Sequence, residues 1–352
     1  MTSMVGKPAA FVLAIAVAAV TVAVGPRTAL RAQSSRQAPA SAQVVGARSY
    51  SPMVENVDAV MKVYAALGLK VPKPEKGDSF PWDEEAWHYD LHGGQAPGSQ
   101  MRFTYANVPG AVPPASALLI EPVEHRGTER HAREPRVQDP GSTTLVLLVR
   151  DINRAAAGLP VRQPIRRVTA YGGAAKAMTV FVPGAHLVEL LQLDPAPQTT
   201  APADANVVGA WVRVAVADLD KTLGLYRDRF GVPFTVSAPT EESFGGLVGA
   251  AGARLRLATG TLPGTSMRLE FLEVTGVDRH TLGARIQDPG AARLQLTVRN
   301  LETAFQMFRD AGPFTVVSSR GEIITQPQYR VAVVSDLNGL FLVLTDRRAA
   351  PQ

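Results

Sequence analysis

A stretch of seventeen residues that occurs twice is the feature that most constrains how this chain can fold. Residues 136–152 read RVQDPGSTTLVLLVRDI and residues 285–301 read RIQDPGAARLQLTVRNL, with nine identities and no gap. Unrelated sequences would share about one position. Each copy has an Asp-Pro-Gly turn, then an alternating apolar strand, then Asp151 or Asn300 at a position typical of a helix N-cap. The chain therefore contains a duplicated turn, strand and helix.

The duplication extends over most of the chain. Residues 43–47 (QVVGA) match residues 206–210 (NVVGA), and residues 102–110 (RFTYANVPG) match residues 256–264 (RLATGTLPG). Each half is itself double, because a helix pattern follows an alternating strand and precedes several strand-like runs at four places. The four expected N-cap residues are Asn56, Asp151, Asp218 and Asn300.

The sequence therefore predicts an α+β fold built from four βαβββ modules. One module has one amphipathic helix and one sheet whose second face would be wet and apolar, so we expect modules that are neighbours in the chain to pair into two domains. Residues 196–205 (APQTTAPADA) are rich in Pro and Thr and form the expected linker. The expected boundaries are 44–195 for the first domain, with modules 44–124 and 136–195, and 206–348 for the second, with modules 206–274 and 285–348.

Composition excludes several classes of function. The chain has 352 residues, of which 46% are hydrophobic and 19% charged, as in globular proteins. Its formal charge is +5, but Lys and Arg never form a run of five, so we expect no nucleic-acid partner. The absence of cysteine excludes disulfides, thiolate metal sites and a cysteine nucleophile.

The N-terminus has the pattern of an export signal. In residues 1–33, Lys7 precedes an Ala- and Val-rich run, and Ala32 offers a small residue for cleavage. The alternative is an uncleaved N-terminal anchor, which would be the only membrane contact. Residues 34–43 are expected to be a flexible lead-in. Both alternatives place the folded part in the periplasm or outside the cell.

Three stretches carry a family resemblance. Residues 212–231 (VRVAVADLDKTLGLYRDRFG), 294–312 (LQLTVRNLETAFQMFRDAG) and 335–344 (SDLNGLFLVL) resemble the vicinal oxygen chelate superfamily. That superfamily includes glyoxalase I, extradiol dioxygenases, fosfomycin-resistance proteins and bleomycin-binding proteins. The resemblance covers residues 44–348 and implies two modules per domain, whose curled mixed sheets surround a shared cup.

The resemblance also implies where a metal would bind. In the metal-using members, a His on the first strand of a module, seven residues before the helix cap, and a Glu on the last strand are ligands. The first-strand positions here hold Ser49, Thr144, Trp211 and Arg293, and none is histidine. The last-strand positions hold Glu121, Glu189, Glu270 and Val343. We therefore expect no metal and no other cofactor.

The two carboxylates of the first domain leave one alternative open. If Glu121 and Glu189 face one cup beside the hydroxyls of Ser49 and Thr144, they could hold a divalent cation. One of the two could instead have its pKa raised by the other and act as a base. The competing interpretation places both carboxylates at a wet sheet edge, paired with arginines.

An aromatic insertion and a pair of arginines complete the candidates. Residues 80–92 (FPWDEEAWHYDLH) are expected to form a flap over the first cup, with Trp87 and His88 near the ligand. A metal pair formed by His88 and the His four residues later is the alternative. Arg102 and its counterpart in the second half could bind a carboxylate or phosphate, although we favour a structural role, which would give the same match.

The preferred hypothesis is an exported protein, monomeric or homodimeric, that binds a small organic molecule in a sheet-lined cup. One alternative is a lyase, isomerase or dioxygenase-like enzyme that acts through Glu121 and Glu189. Another is a non-catalytic structural protein whose cups are filled by side chains. The expected ligand contacts are Ser49, Thr144, Arg102, Trp87, His88, Trp211, Arg293 and Glu270.

Overall fold

The computed structural model describes most of the chain after its N-terminal region. The described residues are 42–75, 77–83, 99–110, 118–157, 159, 164–182, 184, 186–238, 252–310, 315–318, 321–325 and 329–347. The expected export signal at 1–33, the lead-in up to residue 41, and Trp87 and His88 of the expected flap lie outside them. Among the described residues, no helix has the length and apolar character needed to span a bilayer.

Within these residues, four modules of strand, helix and further strands follow one another, which confirms the predicted fold class. Module 1 holds β1 (Val44–Pro52), α1 (Val57–Leu67), β2 (Gln100–Phe103), β3 (Leu119–Ile120) and β4 (Val123–Arg126). Module 2 holds β5 (Thr143–Val149), α2 (Ile152–Ala156), β6 (Arg166–Ala170), β7 (Gly173–Phe181) and β8 (Leu187–Asp194). Module 3 holds β9 (Val207–Val216), α3 (Leu219–Tyr226), β10 (Phe234–Val236), β11 (Arg254–Thr261) and β12 (Arg268–Thr275). Module 4 holds β13 (Ala292–Val298), α4 (Leu301–Asp310), β14 (Thr315–Val316), β15 (Ile324–Thr325), β16 (Tyr329–Ser335) and β17 (Phe341–Arg347).

The helices begin where the sequence predicts. The side chains of Asn56, Asp151, Asp218 and Asn300 each accept a hydrogen bond from a backbone N–H of the first helical turn. These bonds satisfy donors that a helix start leaves without an intrahelical partner. At the other end of α1, Gly68 has a φ of 96°, a left-handed conformation that glycine adopts without steric cost.

A second side chain, from the last strand of each module, holds the same helix start. The first N–H of α1, α2, α3 and α4 is donated to Glu124, Gln192, Glu273 and Asp346, respectively. Where this acceptor is a carboxylate, an arginine opposite it on the neighbouring strand pairs with it. These arginines are Arg102, Arg256 and Arg330. Each helix is thereby fixed to its own sheet.

The modules do not pair in the order that the sequence led us to expect. In the part of the chain that the structure describes, sheet A has the order β14-β16-β17-β13-β1-β3, and sheet B has the order β10-β11-β12-β9-β5-β8-β7-β6. Module 1 therefore shares sheet A with module 4, and module 2 shares sheet B with module 3. The expected domains, which paired modules 1 and 2 and modules 3 and 4, are wrong on this point. In both sheets the first strands of the two modules meet antiparallel, β1 against β13 and β5 against β9.

The crossovers between the two sheets explain this pairing. Residues 127–142 lead from β4 of module 1, which pairs with β2 in a separate two-stranded sheet, to β5 of sheet B, and residues 276–291 lead from sheet B back to β13 of sheet A. Both contain the repeated Asp-Pro-Gly turn, and both need its glycine, because Gly141 and Gly290 have φ values of 91° and 98°. A Cβ on Gly290 would lie 2.7 Å from the carbonyl oxygen of Arg133 in the other crossover. The repeated sequence therefore marks the contact between the crossovers.

The crossovers hold each other by reciprocal hydrogen bonds. His131 N donates to Asp288 Oδ1 at 2.9 Å, and His280 N donates to Asp139 Oδ1 at 2.9 Å. Burial by itself would raise the pKa of Asp288, but hydrogen bonds from its neighbouring arginine and from two backbone N–H groups outweigh burial and hold that pKa below its usual value. The pKa of Asp139 is lowered by the same balance.

Two tyrosines tie the sheets together a second time. Tyr64 of α1 shares a hydrogen bond of 2.8 Å with His186 Nε2, in the turn before β8. Tyr226 of α3 donates to Asp336 at 3.0 Å, in the turn before β17. Burial lowers the pKa of His186 to about 3, so its imidazole is neutral at physiological pH. The largest apolar core contains the buried faces of all four described helices and residues of both sheets, while smaller apolar clusters line the concave faces.

We expect Asp288→Asn and Asp139→Asn each to lower the free energy of unfolding by about 2 to 3 kcal/mol, because each removes a buried negative charge that pairs with an arginine and one of the two carboxylate oxygens that accept hydrogen bonds. Urea denaturation at pH 7 measures the loss. Asp278→Asn is the control, since that side chain is 68% exposed, and it should change stability by less than about 0.5 kcal/mol. Because the folded-state pKa lies below the unfolded value of about 3.9, the contribution is complete above that pH and disappears as the pH falls through the folded-state value. A gap between wild type and Asp288→Asn that persists in acid would contradict this assignment.

Candidate functional site

An arginine held between two carboxylates occupies the centre of the cup formed by sheet B. Arg213 donates through Nη1 to Glu189 Oε2 at 2.5 Å and through Nε to Glu270 Oε2 at 3.0 Å. All three side chains are buried, with Arg213 1% exposed. A buried arginine without such partners would be prohibitively costly, so the three groups act as one unit.

Strand register brings these side chains together. Glu270 on β12 lies directly opposite Arg213 on β9, and Thr144 on β5 lies opposite Arg213 on its other side. Glu189 on β8 lies opposite Val146 of β5, one alternation along the same face. Side chains opposite each other on neighbouring strands share a sheet face, so one concave surface carries all of them.

The electrostatics of the three groups follow from burial and mutual charge. Burial raises the pKa of Glu189, and the nearby charge and hydrogen bonds of Arg213 oppose that rise. For Arg213, burial favours the neutral form, but the negative charge of Glu189 and Glu270 outweighs it and raises the pKa of the guanidinium. The arginine therefore stays charged and each carboxylate already has a cationic partner.

Two aromatic rings and a second arginine form the mouth of this cup. The Arg268 guanidinium carbon lies 4.3 Å from the centre of the Tyr171 ring and 4.7 Å from that of Trp211, and Arg268 Nη2 pairs with Glu270 at 2.6 Å. The Tyr171 hydroxyl donates to Glu270 at 2.9 Å. Tyr171 reaches this place from the turn between β6 and β7, where its φ of 54° is unusual for a residue other than glycine.

Three buried polar atoms of this cup make no hydrogen bond to the described residues: Trp211 Nε1, Arg268 Nε and Thr179 Oγ1. Trp211 is 5% exposed, whereas the side chain of Arg268 is 30% exposed and Tyr171 is 36% exposed. Trp211 Nε1 and Arg268 Nε are therefore closed to solvent themselves, while the side chains of Arg268 and Tyr171 around them are partly exposed. Buried donors without partners are uncommon in folded proteins and indicate a place where a further acceptor fits.

The cup of sheet A has a different polar centre. Ser49 donates to Glu121 Oε2 at 3.0 Å, Ser51 donates to the same oxygen, and Arg293 Nη2 lies 3.7 Å from it. Burial together with the charge of Glu121 raises the pKa of Tyr105 to about 12. Apolar residues of β16 and β17 and two methionines of module 1 line the rest of the concave face.

The expected pairing of Glu121 with Glu189 is wrong. Glu121 follows β3 in sheet A and Glu189 lies on β8 in sheet B, so the two carboxylates belong to different cups. Ser49 and Thr144 are separated in the same way. The pairing of modules across the crossovers instead brings Glu189 and Glu270 to the same arginine, Arg213, and brings Ser49 and Arg293 to the same carboxylate, Glu121.

Arg102, another predicted ligand contact, has a structural role. Arg102 binds Glu124 and Asp58 between the sheet and α1, so the structural interpretation of this arginine fits and it does not reach either cup centre. Trp82, at the start of the expected flap, contacts the guanidinium groups of Arg102 and Arg126, whose central carbons lie 4.7 and 4.0 Å from the ring centre. Trp87 and His88 themselves lie outside the described residues.

Neither cup fits the metal centre that the resemblance implies. Among the described residues, no three His, Asp or Glu side chains form a group that could hold a metal ion. In sheet B the guanidinium of Arg213 lies between the two carboxylates, and in sheet A two hydroxyls donate to a lone carboxylate. Divalent ions need three or four protein donors in a fixed geometry, and a guanidinium at the centre repels them.

The sequence contained signals for the residues that it did not single out. Arg213 comes two residues after Trp211, so the period of two that places Trp211 in the cup also places Arg213 there. Arg268 is related to Glu270 in the same way. Ser51 is two residues after Ser49. Tyr171 gave no such signal, because its position over the cup depends on a hairpin from another module.

The chain matches solved structures at low sequence identity, while no family model and no curated protein matches it. Glyoxalase I from Zea mays aligns with 86% of this chain and 92% of its own, with 15% identity and a TM-score of 0.52. A candidate dioxygenase from Bacillus subtilis aligns with 88% of this chain and 87% of its own, with 12% identity and a TM-score of 0.50. These structural alignments support a shared fold, and identities of this size carry no information about activity.

We expect Arg213→Met to lower the free energy of unfolding at pH 7 by about 3 to 5 kcal/mol, because it leaves two buried carboxylates without a counter-charge. The pKa of Glu189 should then rise further, because Arg213 no longer opposes the effect of burial, so the variant should gain stability relative to wild type as the pH falls from 7 to 5. Urea denaturation at both pH values measures this. Adding Glu189→Gln and Glu270→Gln should recover most of the loss. Arg256→Met, in an ion pair that is 33% exposed on the arginine side, is the control and should cost far less. Equal losses of stability in Arg213→Met and Arg256→Met would contradict the assignment.

Proposed function

We propose that this chain, which has the vicinal oxygen chelate fold seen in glyoxalase I, binds a small organic molecule without using a metal ion. The observation that carries the proposal is the position of Arg213 between Glu189 and Glu270. The guanidinium supplies the positive charge that a cation would supply there, and it cannot accept a lone pair from a substrate as a metal does. Binding is therefore the better-supported role for this cup, and metal-assisted catalysis is disfavoured.

The chemistry of the mouth indicates the class of ligand. Trp211 Nε1 and Arg268 Nε are both donors, so the group that completes them is an acceptor such as a carbonyl or carboxylate oxygen. Arg268 adds positive charge, which favours the carboxylate. The rings of Tyr171 and Trp211 meet edge to face and both contact the flat Arg268 guanidinium, and flat ligand groups pack against such rings in the same way. We infer a small planar organic acid or a carbonyl compound.

The enzymatic alternative loses its geometric basis. It required Glu121 and Glu189 in one cup, and they lie in different sheets. The purely structural alternative stays open to experiment, because Arg213 and its partners fill the base of the cup of sheet B. A ligand that binds at the mouth distinguishes binding from a structural role. Export to the periplasm or beyond is part of the proposal and rests on the sequence pattern of residues 1–33.

Aromatic carboxylates of increasing size, beginning with benzoate, should raise the melting temperature and quench tryptophan fluorescence. We expect Trp211→Phe to weaken the binding of any such ligand about tenfold, since one hydrogen bond to a charged acceptor is lost. Arg268→Met should weaken it further. Trp82→Phe is the matched control, because the Trp82 ring contacts Arg102 and Arg126 outside the cup. Binding that is unchanged in both Trp211→Phe and Arg268→Met would exclude this site.

Protein purified without chelators should contain far less than one metal ion per chain by elemental analysis. Added Mn²⁺ or Zn²⁺ should leave its melting temperature unchanged, since a bound ion would stabilise the folded state by mass action. The result that would refute a metal-free site is one equivalent of metal that is lost in Glu189→Gln or in Glu121→Gln. The two variants distinguish the cup of sheet B from that of sheet A.

A further inference from the structure

A cleft of about 550 Å³ lies outside both cups, where β1, the turn between β11 and β12, and the end of β13 meet. Its lining is mostly backbone and small side chains, from residues 45–47, 264–265 and 297–299. Arg299 belongs to this lining and is exposed, and its guanidinium makes no hydrogen bond to the described residues. The question is what covers this cleft.

The duplication places the same elements at a second position in the molecule. There, residues 208–210 of β9 correspond to residues 45–47 of β1, and Arg150 after β5 corresponds to Arg299 after β13. The backbone agrees, because Arg150 N donates to the carbonyl oxygen of Asn206 and Arg299 N donates to that of Gln43, both at 2.9 Å. The two positions are therefore structurally equivalent.

At this second position the linker between the halves is in contact with the arginine. The Arg150 guanidinium donates to the carbonyl oxygens of Pro202 at 2.6 Å, Ala203 at 2.8 Å, Ala205 at 2.6 Å and Ala201 at 3.2 Å. The linker also packs closely on the turn at Gly110, where an added Cβ would lie 2.5 Å from Pro202 Cδ. Four carbonyl groups thus surround one guanidinium, which offers five N–H donors.

The residues before β1 closely match this linker. Residues 38–47 read APASAQVVGA and residues 201–210 read APADANVVGA, with eight identities in ten. The segment that precedes β1 therefore has the same small residues and the same proline, at the same distance from the strand, as the segment that binds Arg150. Ala42, the first described residue, is already fully buried.

We propose that residues 38–41, which lie outside the described part of the chain, dock in this cleft with their backbone carbonyl groups on the Arg299 guanidinium. The occupant comes from the same chain because Gln43, two residues further on, is already bonded to Arg299 through its carbonyl oxygen. The docked segment would replace the flexible lead-in that composition predicts for residues 34–43.

The test compares two changes, alone and together, in the full chain. Arg299→Ala should lower the melting temperature by about 2 to 4 °C, and replacing residues 38–41 with glycine should lower it similarly. The combination should cause no further loss, because both changes remove the same interaction. Arg309→Ala, an exposed arginine on α4, is the matched control and should have no effect. If Arg299→Ala costs the same in both backgrounds, the arginine acts independently of the segment and the proposal fails.

A second measurement reports on the segment itself. Since the chain has no cysteine, Ala40→Cys provides a unique site for a nitroxide label. The label should be immobilised, and Arg299→Ala should release it, just as Arg150→Ala should release a label at Ala203→Cys in the linker. A mobile label, or one whose immobilisation does not depend on Arg299, would overturn the proposal. Immobilisation that depends on protein concentration would also overturn it, because the occupant would then be a second copy.

Discussion

The reciprocal contact between the two crossovers is the constraint on which the arrangement of this molecule depends. Each Asp-Pro-Gly turn receives a backbone N–H from the other crossover, through Asp139 and Asp288. Because one crossover leads from module 1 to sheet B and the other leads from sheet B to module 4, their contact holds modules 1 and 4 in one sheet and modules 2 and 3 in the other. A pair of turns that looks like a simple repeat in the sequence is thus the joint between two sheets.

This arrangement decides the chemistry of both cups. It brings Glu189 of module 2 beside Glu270 of module 3, and two buried carboxylates that close need a positive charge between them. Arg213 supplies that charge from β9, one of the two strands between them. In sheet A the corresponding last strands carry Glu121 and an apolar valine, so one carboxylate satisfied by serine hydroxyls is sufficient. The two halves of a duplicated chain have therefore diverged into two different polar centres on one fold.

Duplication has also left equivalent parts that explain one another. The arginines opposite the helix-capping carboxylates recur in three modules, which gives Arg102 a structural role that a single copy would not have revealed. The tyrosines of α1 and α3 each bond to the turn of the next module, one through His186 and one through Asp336. The linker contact with Arg150 gives the cleft at Arg299 its interpretation by the same reasoning. The structural role of a residue in one copy can therefore be judged from the contacts of the equivalent residue in the other copy.

The sequence by itself determined the local structure: the four capped helices, the strands that follow them, the glycine turns and the side of each strand that faces a cup. These depend on residues a few positions apart, such as Asn56 with its helix or Trp211 with Arg213 on one strand face. Only the tertiary structure decided which module pairs with which, because a strand with one apolar face pairs equally well with several partners. The separation of Glu121 from Glu189 and the position of Tyr171 over the cup follow from that choice. Local patterns decide which side chains each strand places on the face of a cup. Long-range hydrogen bonds between the crossovers decide which strands, and therefore which side chains, share that cup.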